Sequence, residues 1–487
     1  MMRNPVMPWL LPMVALAAGD HPDLLRFTNG DQIHGAFLGI KDGPRAVWQR
    51  DDLSAPVDFK TTRIRHVVLH GGRPRKPPVT LSHIELVNGD RIPGAIIGMD
   101  AETVILDTSC AGTLRVPRSR VSMLAPNPMG GRVHYHGPFT EEDWKMAQVS
   151  FPDGPPPASG QAGRWAFSGS AWHWPGGQAG TALVRESGLP ERAVLRFDLA
   201  WKNRLNIALA FHADFARSEP AGDDEKRDAK ARAFAPVDSS DLPRLFGNSH
   251  VLQIYSNFLM LFRTSVSVDA KPSCERVQVN SNHSVRLGES GRAIIEVRAN
   301  RASGAISLFV NDEFAAQWSG GDAPPGMGGG FGFVVLGDDS PVRLSDIVVS
   351  EWNGMPDSAR SLRVDDQDVV LMTNGTDRFA GKAGVLDARG RILFEGKHGQ
   401  LQFPLEDAAE IRFARDRLAA VADAPGDGVL VRMAPIGLIS GRPLAGDGTT
   451  LGILSPILGE LNLSLDSAVM LDFNSSNQII DAWDADF

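Results

Sequence analysis

Leu24 to Ile40 reads LLRFTNGDQIHGAFLGI, and Ile84 to Met99 reads IELVNGDRIPGAIIGM. The two stretches share a short alternating run, the tripeptide Asn-Gly-Asp (Asn29 to Asp31, Asn88 to Asp90) and a second alternating run. A glycine follows five residues after the turn glycine in each (Gly35, Gly94). Asn and Gly accept positive φ, as a tight hairpin turn requires, and Ile33 and Ile92 resume the apolar face beyond it. The pattern predicts strand, turn, strand. Both copies continue through a second β pair and close on a basic-apolar strand, TTRIRHVVL in one and VPRSRVSML in the other. The unit is therefore repeated, over residues 22–70 and 80–126.

A third copy, DVVLMTNGTDRFAGKAGVLDARGRILFEGKHGQLQFPLEDAAEIRF, keeps Asn374-Gly375 and Gly381 and places Thr376 where Asp stands in the others; it falls in 363–416. A fourth segment, within 426–476, has lost the Asn-Gly turn and is assigned from length and strand rhythm. Units this small cannot cover their own strand edges, so neighbouring units are expected to pair.

Between the two pairs, residues 139–354 change rhythm. Leu195, Phe197, Leu199 and Trp201 alternate with Arg196 and Asp198, which predicts a strand with one core face and one solvent face. Similar runs start at Asn206, Val251, Ala293, Ala305, Gly329 and Val342, and many strands without intervening helices indicate a sandwich. Linkers are marked by HGGRPRKPP at 70–78 and PDGPPPASGQAG at 152–163, and 216–243 is a charged, aromatic-poor surface loop. The fold class is all-β, a central jelly-roll sandwich flanked by two pairs of small β-barrel-like repeats.

The stretch IIEVRANRASGAISLFVNDEFAAQW, followed by GGGFGFVVLGDD and RLSDIVVSEWNG, resembles a concanavalin A-like, laminin-G-type jelly roll. The resemblance implies that Asn311-Asp312 caps a strand, that a Gly-rich strand follows, and that the last strand returns beside the first. It carries no catalytic signature. Leu-x-Asn-Gly-Asp-x-Ile-x-Gly resembles Sm-like or Src-homology-type small barrels. Chains of this make-up are similar to uncharacterised exported planctomycete and verrucomicrobial proteins, a likeness that supplies no activity.

With 487 residues the chain exceeds one ordinary core, and 50 Gly with 33 Pro suit a turn-rich β protein. A net charge of -9, with no basic stretch interleaved with aromatics, argues against nucleic acid as a partner. Residues 1–18 carry one basic residue, Arg3, then an apolar run ending in small residues, which predicts a signal peptide and export to the periplasm, envelope or exterior. That run is too short and too proline-broken for a membrane span. Cys110 and Cys274 fall in different predicted domains; a single bridge between them stays open.

The candidate ligand-binding residues are Trp172, Trp174, Arg196, Asp198, His212 and Asp214. Indoles stack on the apolar faces of sugars, and Trp172 and Trp174 share a face by alternation. Arg196 and Asp198 on one strand, with His212 and Asp214 on another and Glu296 and Arg298 nearby, would line one polar surface if their strands were neighbours. A solvated sheet face explains the same pattern. His134 and His136 have a spacing that metal sites use, without a third ligand. In laminin-G-type domains calcium is sometimes bound at the loop occupied here by Asp338-Asp339, but two adjacent acids do not make a hard-cation site. No cofactor and no catalytic motif is implied. The expected function is an exported, non-catalytic binding or scaffolding protein, its jelly roll taking a glycan or protein and its barrels mediating assembly, homo-oligomers included. The rivals are a glycan-active enzyme using Asp198, Asp214 and Glu296, and a structural envelope protein.

Overall fold

A computed structural model describes residues 23–473 apart from internal stretches, the longest being 149–163, 217–238, 320–327, 353–364 and 421–427. The 1–18 leader, the 152–163 linker and Asp338-Asp339 lie outside the described residues, as does most of the 216–243 loop. The chain is all-β, and a jelly-roll sandwich stands between two pairs of repeats in chain order.

In the first repeat, strands Asp23–Phe27, Gln32–Lys41, Arg45–Gln49 and Val57–Lys60 form a meander, and Ile64–Val68 returns beside the first strand. The spatial order is fourth, third, second, first, fifth. The second repeat has this order from His83–Leu86 to Val121–Ala125, with its second strand broken at Gly94. The third, Asp368–Met372 to Ala408–Arg412, and the fourth, Val429–Met433 to Ala468–Phe473, have it too.

The Asn-Gly-Asp turn differs in detail from the expectation. Only the glycines, Gly30 at φ 90° and Gly89 at φ 87°, are left-handed. Gly30 N–H donates to the Phe27 carbonyl at 3.1 Å and Phe27 N–H to the Asp31 carbonyl at 2.9 Å. This is a three-residue loop closed by a left-handed glycine, and the Asn side chain instead accepts the N–H of Asp31 at 3.2 Å.

The glycine after the turn has a steric cause that is common to all four repeats. A Cβ at Gly35, Gly94, Gly381 or Gly441 would press into a third-strand carbonyl oxygen, that of Gln49, Asp107, Glu395 or Leu454 respectively. The gap would be 2.6 Å at Gly94 and 2.8 Å at Gly441, and smaller still at the other two. The second strand bends tightly over the third there, and only a missing side chain permits it. Gly381→Ala should therefore cost about 2–3 kcal/mol in urea unfolding, as overpacking does. At Gly390, with φ 71° and open space around a Cβ, alanine should cost only about 1 kcal/mol. Equal losses at the two sites would refute the close-approach explanation.

A buried aspartate reinforces two of the repeats. Asp23 accepts the N–H of Phe37 and of His70, both at 2.8 Å; Asp368 accepts those of Ala383 at 2.8 Å and Ala414 at 2.9 Å. Each carboxylate ties the start of the first strand to the bend and to the exit of the fifth.

The repeats do not pair with their neighbours in sequence, which corrects the expectation. The fifth strand of repeat one runs antiparallel to that of repeat four (Val68 opposite Met470, His66 opposite Asp472), and repeat two joins repeat three in the same way (Leu124 opposite Ile411). Antiparallel pairing of equivalent strands sets a local pseudo-twofold in each pair and covers the fifth-strand edge of each repeat. Repeats four and two also meet, where Ser440 donates to Asp90 from its N–H at 3.1 Å and its hydroxyl at 3.0 Å. One apolar core runs through all four, including Leu25, Ile84, Ile411 and Leu471. The repeats thus form one body, into which the sandwich is inserted between repeats two and three.

The sandwich has two antiparallel sheets. One is ordered Ala166–Phe167, Ala171–Trp174, Val342–Glu351, Arg192–Trp201, Gly291–Asn300, Ala305–Val310, Glu313–Trp318 and Ser281–Asn282, with Val133–Gly137 beside Val342–Glu351. The other is ordered Lys145–Gln148, Thr181–Arg185, Gly330–Val335, Asn206–Ala213, Ser249–Tyr255, Leu259–Ser267 and Ala270–Arg276. Their inner faces interlock through Phe197, Trp201, Phe211, Leu252, Phe333 and Leu344.

Candidate functional site

The outer face of the nine-stranded sheet meets the repeat body. Asp346 lies on it, at a bulge in Val342–Glu351, with a positive φ of 49°. Its carboxylate receives Arg91 of repeat two at 2.6 Å and His136 at 3.3 Å, with Arg432 of repeat four at 3.7 Å. Burial pushes the Asp346 pKa up, but Arg91, the His136 hydrogen bond and Arg432 outweigh it and hold the group well below the usual carboxylate range. Beside this joint, Asp472 pairs with His66 at 3.2 Å.

The residues singled out from the sequence are dispersed. Trp172 and Trp174 do share a face, but it is the core face; they are 2% and 0% exposed, so they cannot serve as a sugar platform. Arg196 and Asp198 lie on the nine-stranded sheet, whereas His212 and Asp214 belong to the seven-stranded one, so the four do not line one surface. Arg196 donates to Glu296 at 3.3 Å, Arg298 donates to Glu296 at 2.7 Å, and Asp198 is paired with Arg292. His212 is buried against the Pro190 carbonyl at 3.0 Å. Asp214 accepts the N–H of Ala216 at 2.9 Å and of Asn248 at 2.8 Å, and the Asn248 side chain at 2.8 Å. These carboxylates are structural ties. His134 and His136 each take a separate carboxylate, Glu351 and Asp346, both at 3.3 Å. Among the described residues no three metal-ligating side chains cluster. Cys110 and Cys274 are not joined in a disulfide.

The outer face of the seven-stranded sheet is divided. At one end the short helix Leu242–Phe246 lies on Ala182, Ala208, Ala210 and Val251 in a second small core. Gly332 makes room for it, since a Cβ there would come within 3.0 Å of the Phe246 ring. At the other end Tyr255 and Phe258 stack across a hairpin turn, with ring centroids 4.0 Å apart and planes 23° from parallel. Phe258 is 42% exposed. Alternation along Ser249–Tyr255 brings Gln253 to the same face, where its amide donates to Asn206 at 2.9 Å. Burial raises the Tyr255 pKa, and its hydrogen bond to Gln253 partly offsets this. Gln253 is itself only 2% exposed, so what this face offers a ligand is the aromatic stack, the chemistry that packs on the C–H face of a sugar ring. VLQIYSNFLMLF carried the signal, since Gln253 and Tyr255 alternate outward into a turn that ends on an aromatic residue.

A concavity of about 1290 Å³ opens between repeats one and four beside Ile40, Lys41, Leu444, Asp447, Glu460 and Asn462. Its Asp447 is already committed, accepting from the Thr449 and Thr450 N–H groups, both at 2.8 Å. The Thr449 hydroxyl, and then those two backbone bonds, bring its pKa down to about 2.

No protein-family model matches the sequence, and no curated protein matches it. Among solved structures, 43% of the chain is similar to 96% of a carbohydrate binding module, CBM66 from Bacillus subtilis (12% identity, TM-score 0.27). The same share is similar to 90% of a legume lectin-like domain from Entamoeba histolytica (13%, 0.27). A further 45% match covers 97% of a Bacillus licheniformis beta-glucanase (9%, 0.25). These likenesses are too distant to bear on ligand or reaction. No helix among the described residues is long and apolar enough to cross a membrane.

Proposed function

We propose that the chain is an exported, non-catalytic binding or scaffolding protein whose jelly roll takes a glycan at the Tyr255–Phe258 patch, with the repeat body serving assembly. The observation that carries the reading is the stacked, half-exposed aromatic pair. The disposition of the acids supports it further. A retaining glycosidase needs two carboxyl groups about 5–5.5 Å apart. Here Asp198 and Glu296 are ion-paired on the sheet that meets the repeats, and Asp214 is spent on backbone in the other sheet.

Ligands found on a glycan array, then titrated by calorimetry, should bind Tyr255→Ala and Phe258→Ala about tenfold more weakly than wild type, with Tm almost unchanged. Loss of an aromatic stack of about 1–1.5 kcal/mol corresponds to that factor. Full-strength binding by the double variant would refute the site, and release of reducing ends from a polysaccharide would favour the enzyme.

A further inference from the structure

The joint between sandwich and repeats holds more arginine than its acids can satisfy. Asp346 is taken by Arg91, Asp198 by Arg292 and Asp472 by His66. Two guanidinium groups remain. Arg432, on the first strand of repeat four, is 8% exposed and reaches Asp346 only at 3.7 Å and Asp472 only at 4.0 Å, beyond hydrogen-bond range; its Nε is buried without an acceptor. Arg343, on the outer face of the sandwich, feels Asp472, Arg432, Arg292 and Asp198 through space and has no hydrogen bond or ion pair among the described residues. Burial, with Arg432 and Arg292 nearby, depresses its pKa to about 10, although Asp472 and Asp198 oppose this.

The floor beneath Arg343 is shaped as well as charged. Across three adjacent strands Arg343 lies opposite Ala200, and Ala200 lies opposite Arg292. A small residue thus separates two arginines on one face. Arg343 keeps partial solvent exposure despite its place in the joint. Arg432 is a buried cation whose Nε lacks an acceptor, which is costly, and guanidinium groups match the oxygens of a tetrahedral anion in paired hydrogen bonds.

We propose that this joint binds a small tetrahedral oxyanion, phosphate or sulfate, clasped between Arg343 of the sandwich and Arg432 of the fourth repeat, above Ala200. Its position between the sandwich and the repeat body favours a free inorganic ion over a group on a polymer. Its place makes it a structural ligand that holds the two bodies together, and the inference is independent of the glycan site.

The full chain, dialysed into chloride, is titrated with inorganic phosphate and with sulfate at constant ionic strength, by calorimetry and by thermal unfolding. Saturating phosphate should raise Tm by about 3 °C or more over matched chloride. Arg343→Gln and Arg432→Gln should each bind at least tenfold more weakly. Ala200→Asp, which supplies an internal carboxylate, should raise Tm in chloride and abolish the phosphate response, and it stands as the test if the arginine variants do not fold. The same response to phosphate as to chloride in the wild type would overturn the proposal, as would undiminished phosphate binding in Ala200→Asp.

Discussion

Asp346→Ala is expected to uncouple the sandwich from the repeat body, replacing one calorimetric transition by two and lowering the stability of the joint by about 3–5 kcal/mol. That is the usual cost of removing one partner from a buried ion group and leaving the other charges facing each other. Arg91 and Arg432 would then confront each other beside His136 with no anion between them. The carboxylate links two strands of the nine-stranded sheet, Val342–Glu351 and Val133–Gly137, to repeats two and four. Its positive φ adds a second test, because asparagine tolerates left-handed backbone and nearly matches the shape of aspartate. Asp346→Asn should keep the bulge and still lose most of the stability, which separates the charge from the backbone conformation. A single transition with unchanged Tm in both variants would show that the ions merely fill the joint.

The repeat was legible because its two strongest signals are local. A left-handed glycine at the turn and a glycine at the bend each answer to one backbone contact, so they recur five residues apart in the first two repeats. The fourth repeat kept Gly441 at the bend after losing the Asn-Gly turn, and its strand order followed the others. Pairing of repeats was not legible. Val68 opposite Met470 is a contact across the whole chain, and nothing in an isolated fifth strand says which equivalent edge it meets. The same limit explains the dispersed site. A two-residue period says which side chains share a face of one strand, and it did so for Trp172 with Trp174 and for Arg196 with Asp198. It does not say whether that face looks into the core, nor whether Asn206–Ala213 joins the same sheet as Arg192–Trp201. Tyr255 and Phe258 come together through a turn, which alternation does not describe.

Acid should unfold this protein between about pH 5 and 4, at the upper edge of the range in which carboxylates titrate, because several histidines are buried in the neutral form. Burial pushes His83 and His212 down to about 4, each partly opposed by a backbone carbonyl, that of Leu81 or Pro190. His250, stacked on Phe211, is pushed to about 3 by burial and then by His212 and Arg263. Burial also depresses His173, and Arg343 and Arg65 reinforce it. A histidine whose folded pKa lies below its unfolded value gives its full stability above about pH 6.5 and loses it as the pH falls towards the folded pKa. By pH 5 each of His83, His212 and His250 has given up about 2 kcal/mol, together comparable to the whole stability of an ordinary domain. Asp90 works in the opposite sense. Burial raises its pKa to about 6 despite the Asn88 and Ser440 hydrogen bonds, so it recovers about 1 kcal/mol over the same interval, too little to compensate. Tryptophan fluorescence is a direct readout, since Trp165, Trp172 and Trp174 are all in the sandwich core. His250→Phe keeps a ring against Phe211 without a titrating nitrogen and should move the midpoint to lower pH by about half a unit. A midpoint below about pH 3.5 in the wild type, or one that His250→Phe leaves in place, would mean that the buried imidazoles do not govern acid stability.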